Sequence, residues 1–144
     1  MANMQINANR NIKQKRLANI IYPELSYTLN GIFFKVRNEL GSFCRETQYC
    51  DAIEKIFIER HIPYKREVRI SRENDLLKNN SNRVDFIVGN RIIIEVKARR
   101  LVGREEYYQV QRYLKIFNLK LELLVNFHQK YLVPKRIINP DAKE

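Results

Sequence analysis

The sequence predicts an α/β sandwich around a mixed sheet, in the order helix, helix, three strands, helix, two strands. Three observations predict it. Apolar residues recur at helical spacing over 26–60 and again over 104–117. Two apolar, β-branched runs flank Gly89-Asn90, a turn signal between strands. Leu121, Leu123, Val125 and Phe127 alternate as the residues of a strand do.

Residues 1–23 carry Arg10, Lys13, Lys15 and Arg16 and no acid. They read as a basic arm suited to a phosphate backbone; a leader without a role fits the same composition. The folded domain is expected over 24–139, with 140–144 as a tail. Ser26 is the expected N-cap of the first helix, and Leu29, Ile32, Phe33, Val36 and Leu40 follow as its stripe. Gly41 stops it. Ser42 or Phe43 is expected to open the second helix, which runs to about Arg60 and buries Tyr49, Ile53, Ile56 and Phe57. Pro63 ends that region, and Tyr64–Ile70 reads as the first strand with Tyr64, Val68 and Ile70 on one side. Residues 71–82 are polar and Asn-rich, a loop. The third helix spans about Arg104 to Phe117, with Val110, Tyr113, Leu114 and Phe117 apolar. The last strand, Tyr131–Ile138, is pushed to a sheet edge by Pro134.

The register of the hairpin around Gly89 follows from burial. A two-residue turn would mix charges and hydrophobes on both faces. A three-residue turn, Gly89-Asn90-Arg91, pairs Val88 with Ile92, Phe86 with Ile94, Val84 with Val96 and Asp85 with Glu95. One face is then apolar and the other gathers Asp85, Glu95 and Lys97, so the three-residue turn is expected. Gly89 and Asn90 tolerate the backbone angles such a turn needs.

Two adjacent carboxylates repel and raise a pKa unless a cation intervenes. Oxygen ligands in small number suit Mg²⁺ or Mn²⁺. Lys97 lies two residues beyond Glu95 on the same face, where an ammonium stabilises charge on a phosphate or orients water. A salt-bridged, solvent-facing strand surface fits the same residues.

The 144 residues suffice for one domain with a core, and 44% are hydrophobic. Lys and Arg number 27 against 16 acids, a net charge of +11. That excess favours a polyanionic partner, nucleic acid first and an acidic membrane surface second. Cys44 and Cys50 have no metal-binding spacing, and two unpaired thiols suit a reducing cytoplasm. No apolar run is long enough to span a membrane.

Asp85, followed after nine residues by Glu95-Val-Lys97 at the end of an apolar strand, resembles the PD-(D/E)XK nuclease motif. Leu40-Gly-Ser-Phe-Cys-Arg-Glu-Thr-Gln-Tyr49 resembles the start of the GxxExxY proteins, a small group of that superfamily, with Phe43 where the motif has Gly. Tyr107–Leu114 and Leu123–Phe127 resemble the group's later blocks, so the likeness covers about 22–139. It implies the restriction-endonuclease-like fold, a phosphodiester hydrolase and a Mg²⁺ or Mn²⁺ cofactor. Glu46, on the second helix, becomes a third acidic contributor. Gln109 and Tyr113 match a Gln-x-x-x-Tyr pattern on the helix after the catalytic strand, in which Gln reaches the site.

The expected activity is cleavage of nucleic acid, DNA before RNA, with structure-dependent or weak sequence preference. Asp85, Glu95, the backbone carbonyl of Val96 and Glu46 would hold the metal. Lys97 would orient the attacking hydroxide and Gln109 would steady it. Arg99, Arg100, Arg104, Lys135, Arg136 and Tyr113 would contact nucleic acid. A homodimer or a targeting partner protein would supply what so small a chain lacks. The alternatives are a non-catalytic nucleic-acid binder and an accessory interaction protein on the same fold.

Overall fold

A computed structural model describes residues 20–69 and 83–144. The readings of 1–19, of Ile70 and of the 71–82 loop fall outside the described residues. The elements are α1 (Pro23–Leu40), α2 (Glu46–Glu59), β1 (Tyr64–Arg69), β2 (Arg83–Val88), β3 (Ile92–Lys97), α3 (Arg104–Phe117), β4 (Leu121–Asn126) and β5 (Lys135–Ile138). Type and order are those the sequence predicts.

The five strands form one sheet in the order β1-β2-β3-β4-β5. Every pairing is antiparallel except β3 with β4, which α3 connects as a crossover. α1 and α2 cover one face. There Phe33, Tyr49 and Phe57 pack on Phe86, Ile94 and Phe127. α3 covers the other face, laying Val110, Tyr113 and Leu114 over Ile87, Ile93, Leu124 and Ile137. β4 is an inner strand covered on both sides, which is why all six of its residues are buried.

Both helix starts differ from expectation. α1 begins at Pro23 rather than after Ser26, because proline is pre-organised for the first helical position. Tyr22 ahead of it takes a left-handed conformation, and buried Ser26 donates its hydroxyl to the Ile21 carbonyl at 3.3 Å. α2 begins at Glu46 rather than Ser42 or Phe43. A tertiary contact holds the preceding turn open: the Tyr49 hydroxyl donates to Gly41 O at 2.6 Å and accepts from Cys44 N–H at 3.2 Å. Gln48 Oε1 accepts the Arg45 N–H at 2.9 Å and so caps the helix. Tyr49→Phe strips both backbone groups of their partner. It is expected to cost about 1 kcal/mol in urea unfolding; an unchanged midpoint would show that the hydroxyl is dispensable.

The central turn is the three-residue one. Val88 pairs with Ile92, Ile87 with Ile93 and Phe86 with Ile94. Gly89 and Asn90 both have positive φ, 57° and 53°, and the Arg91 N–H closes on Val88 O at 3.0 Å. Beyond Phe86 the pairing departs from expectation. The ladder stops, and Asp85 Oδ2 accepts the Val96 N–H at 2.8 Å. The side chain takes the place of a backbone carbonyl because a carboxylate accepts a stronger hydrogen bond. Val84 then packs in the core under α3, not opposite Val96 on the α1/α2 side.

Candidate active site

Where β2 and β3 part, one cleft of about 260 Å³ opens on the α3 side of the sheet. Alternation sends Glu95 and Lys97 of β3 to that side, the side of Ile93. Asp85 and Arg83 reach it from β2, and Arg99 from just past β3. Glu46 reaches it from the first turn of α2; Gln109 and Tyr113, one turn apart, line it from α3.

Glu95 is only 6% exposed, and its Oε1 meets no hydrogen-bond partner among the described residues. Burial pushes its pKa well up, and the negative charge of Asp85 adds to the effect while Lys97 opposes it. Burial raises Asp85 too, against the pull of the Val96 N–H and of Lys97. Each carboxyl feels the other, and their mutual repulsion favours a proton or a cation between them. A small hard cation suits this pair: the donors are all oxygen, and Glu95 Oε1 is buried without a partner among the described residues. Among the described residues no three side chains of the His, Cys, Asp and Glu types close into a ready cage. As placed, the carboxylate pair is therefore the core of the site, with Glu46 at its edge rather than in direct contact with both.

Glu46 instead faces Arg99, Oε1 to Nε at 3.9 Å. Arg99 also bonds Glu106, Nη1 to Oε1 at 3.0 Å, and Glu106 Oε2 accepts the Gly103 N–H at 2.9 Å. The Glu106 carboxyl sits below the usual range, chiefly because of its own backbone N–H, with Gly103 and Arg99 contributing. The Asn126 amide clamps the Arg99 backbone on both sides, at 3.2 Å and 2.8 Å. Gln109 Nε2 donates to the Tyr113 hydroxyl at 2.6 Å. Tyr113 is buried, and burial, with Glu95 nearby, raises its pKa.

The other basic residues go elsewhere. Arg100 and Lys135 line a neighbouring hollow. Arg104 is exposed at the first position of α3. Arg136 is not brought to the cleft: it pairs with Leu123 on the α1/α2 side and donates to Ile21 O at 2.9 Å. Val96 has its N–H on Asp85, between the two residues that flank it in the motif.

Three residues escaped the sequence reading. Arg83 shares the cleft, and its place two residues before Asp85 signalled that. Asn126 fixes the Arg99 segment, which alternation did not reveal. Glu122, on β4, is wholly buried with neither carboxyl oxygen bonded among the described residues. An acid inside the run Leu121-Glu-Leu-Leu-Val125 was the available signal.

An α/β sandwich whose hairpin carries an Asp and a Glu-x-Lys into one cleft is a restriction-endonuclease-like protein. The family model of the PD-(D/E)XK nuclease superfamily matches residues 23–137, and the chain belongs to that superfamily. Its members generally hydrolyse phosphodiester bonds and typically use Mg²⁺ or Mn²⁺. The searches of curated proteins and of solved structures found no match. Among the described residues no helix is long and apolar enough to cross a membrane.

Proposed function

We propose that the protein is a Mg²⁺- or Mn²⁺-dependent nuclease acting on DNA in the cytoplasm, within the GxxExxY group of its superfamily. The observation that supports this best is the pair of half-buried Asp85 and buried Glu95, both raised in pKa, with Lys97 in the same cleft. Asp85, Glu95 and the Val96 carbonyl would hold the cation, and Glu46 would complete the acidic edge. The cation supplies Lewis-acid charge at the phosphate and lowers the pKa of water.

The side chains divide the rest of the work. Lys97 orients the attacking water and offsets negative charge developing on the phosphate. Gln109, held by the Tyr113 hydroxyl, steadies Lys97 or the substrate. Arg83 and Arg99 line the cleft where flanking phosphates would lie. Hydrolysis leaves a 5′-phosphate. Preference rests on substrate structure or on a second copy or partner protein.

The test is cleavage of single-stranded, double-stranded and branched DNA and RNA with Mn²⁺, beside a calorimetric metal titration. Failure to cleave any of them, with no divalent metal bound, ends this reading. Gln109→Ala is expected to slow cleavage about tenfold, as loss of a supporting contact does; a rate within twofold of the parent enzyme would remove Gln109 from the site. A charge of +11 also suits a binder without catalysis, and that reading predicts retention of nucleic acid with no cleavage under any metal.

A further inference from the structure

A second hollow, of about 140 Å³, adjoins the cleft through the Arg99-Arg100 step: Arg99 lines the first and Arg100 the second. Arg100 and Lys135 give it positive charge. Leu101 and Val133 give it apolar surface, and both are left open to solvent, 81% and 62% exposed. Asn126 and Gln129 supply amides, but in different states. Asn126 is already engaged: Oδ1 accepts from Arg99 and His128 N–H, each at 3.2 Å, and Nδ2 donates to Arg99 O. Gln129 Oε1 meets no donor among the described residues and is shut from solvent as placed, so the half-buried amide turns toward the hollow to meet a ligand. A buried acceptor left without a donor costs free energy that a ligand N–H recovers.

Cations, uncovered apolar side chains and a waiting acceptor match the three parts of a nucleotide. These are a phosphate, a ring face and a base edge bearing an amino group. The hollow lies on the catalytic side of the sheet, since Leu124 in its wall belongs to the core under α3. Asn126 ties the shared 99–100 step rigidly to β4, so the two hollows keep their spacing. We propose that this hollow is a subsite for a nucleotide flanking the scissile bond, with its phosphate on Arg100 and Lys135 and an amino-bearing base edge on Gln129. The inference rests on the nuclease reading for the position of that bond.

The test is binding, read without catalysis. Full-length protein in EDTA is titrated with deoxyadenosine monophosphate, thymidine monophosphate and inorganic phosphate while backbone amide shifts are followed. Deoxyadenosine monophosphate is expected to shift residues 100–102 and 126–133 and to bind more tightly than either of the others. Gln129→Leu is expected to weaken it about fivefold, the worth of one hydrogen bond, and to leave inorganic phosphate unchanged. Gln129→Met, which keeps the length and removes the acceptor, serves the same purpose if the leucine variant does not fold. Arg100→Ala and Lys135→Ala should weaken all three ligands. Shifts confined to the Asp85 cleft, or equal binding of inorganic phosphate and deoxyadenosine monophosphate, overturn the proposal. A protein that cleaves but ignores mononucleotides loses only the subsite; one that binds them here and never cleaves loses only the nuclease reading.

Discussion

Lys97→Ala is expected to slow phosphodiester cleavage by about a hundred- to a thousandfold, the usual loss when a group that stabilises transition-state charge is removed. Nucleic-acid binding should persist. Lys97 is one cation among 27, so its loss removes at most one phosphate contact and lowers the salt slope by about 0.9 or less. Lys97 also acts on the carboxyls beside it. Its charge opposes the upward shift of both Asp85 and Glu95. Without it those groups hold their proton to higher pH, and the rising limb of any residual activity should move alkaline, because a metal ligand must be deprotonated. Single-turnover cleavage with Mn²⁺ across pH, beside filter binding at several salt concentrations, reads both effects. A variant that cleaves within threefold of its parent would remove Lys97 from the chemistry. One that loses binding in step with cleavage would make it a docking residue.

That Lys97 stands with Asp85 and Glu95 was legible because a buried face dictates register. Only the Gly89-Asn90-Arg91 turn keeps Phe86, Val88, Ile92 and Ile94 on one side, and that is the turn the chain makes. The helices were legible in type, since their stripes are long and periodic, but not in their starts. Pro23 outranked Ser26 as a start signal, and the start of α2 depends on Tyr49 reaching back eight residues to Gly41. No local cap rule contains such a contact.

The limits of alternation show elsewhere. It assumes a regular strand, so it could not place Val84 once Asp85 had entered the ladder in place of a carbonyl. It counted Arg136 among outward basic residues, whereas that guanidinium bonds a carbonyl 115 positions away. Charge counting likewise put Arg99, Arg100 and Lys135 in one group. The fold divides them: Arg99 bonds Glu106 at the cleft, and the other two line a separate hollow. Composition reports how much positive charge exists; the crossover between β3 and α3 decides which cleft receives it.

Glu122→Leu is expected to stabilise the protein at neutral pH by about 1–3 kcal/mol, the range for a buried polar group without a partner. The carboxyl is inaccessible to solvent, and neither oxygen is bonded among the described residues. Burial drives its pKa well up, and Glu95 and Asp85 add to the shift. It is therefore neutral in the folded protein at pH values where the unfolded chain has released the proton. Above the ordinary Glu value the native state binds more protons than the unfolded state, so stability falls as pH rises until the raised pKa is passed. One such group contributes a slope of up to about 1.4 kcal/mol per pH unit. Asp85 and Glu95 shift in the same direction and contribute slopes of their own. Leucine at 122 should thus lift the melting temperature more at pH 8 than at pH 5 and leave part of the pH dependence in place. Glu122→Gln keeps the shape but leaves an amide in the same apolar surroundings, so it should remove the same share of the pH dependence without the full gain at low pH. Thermal denaturation of the three proteins between pH 5 and pH 9 checks this. A leucine variant no more stable than its parent at pH 8 would mean that Glu122 is bonded in solution and belongs to the polar network of the cleft.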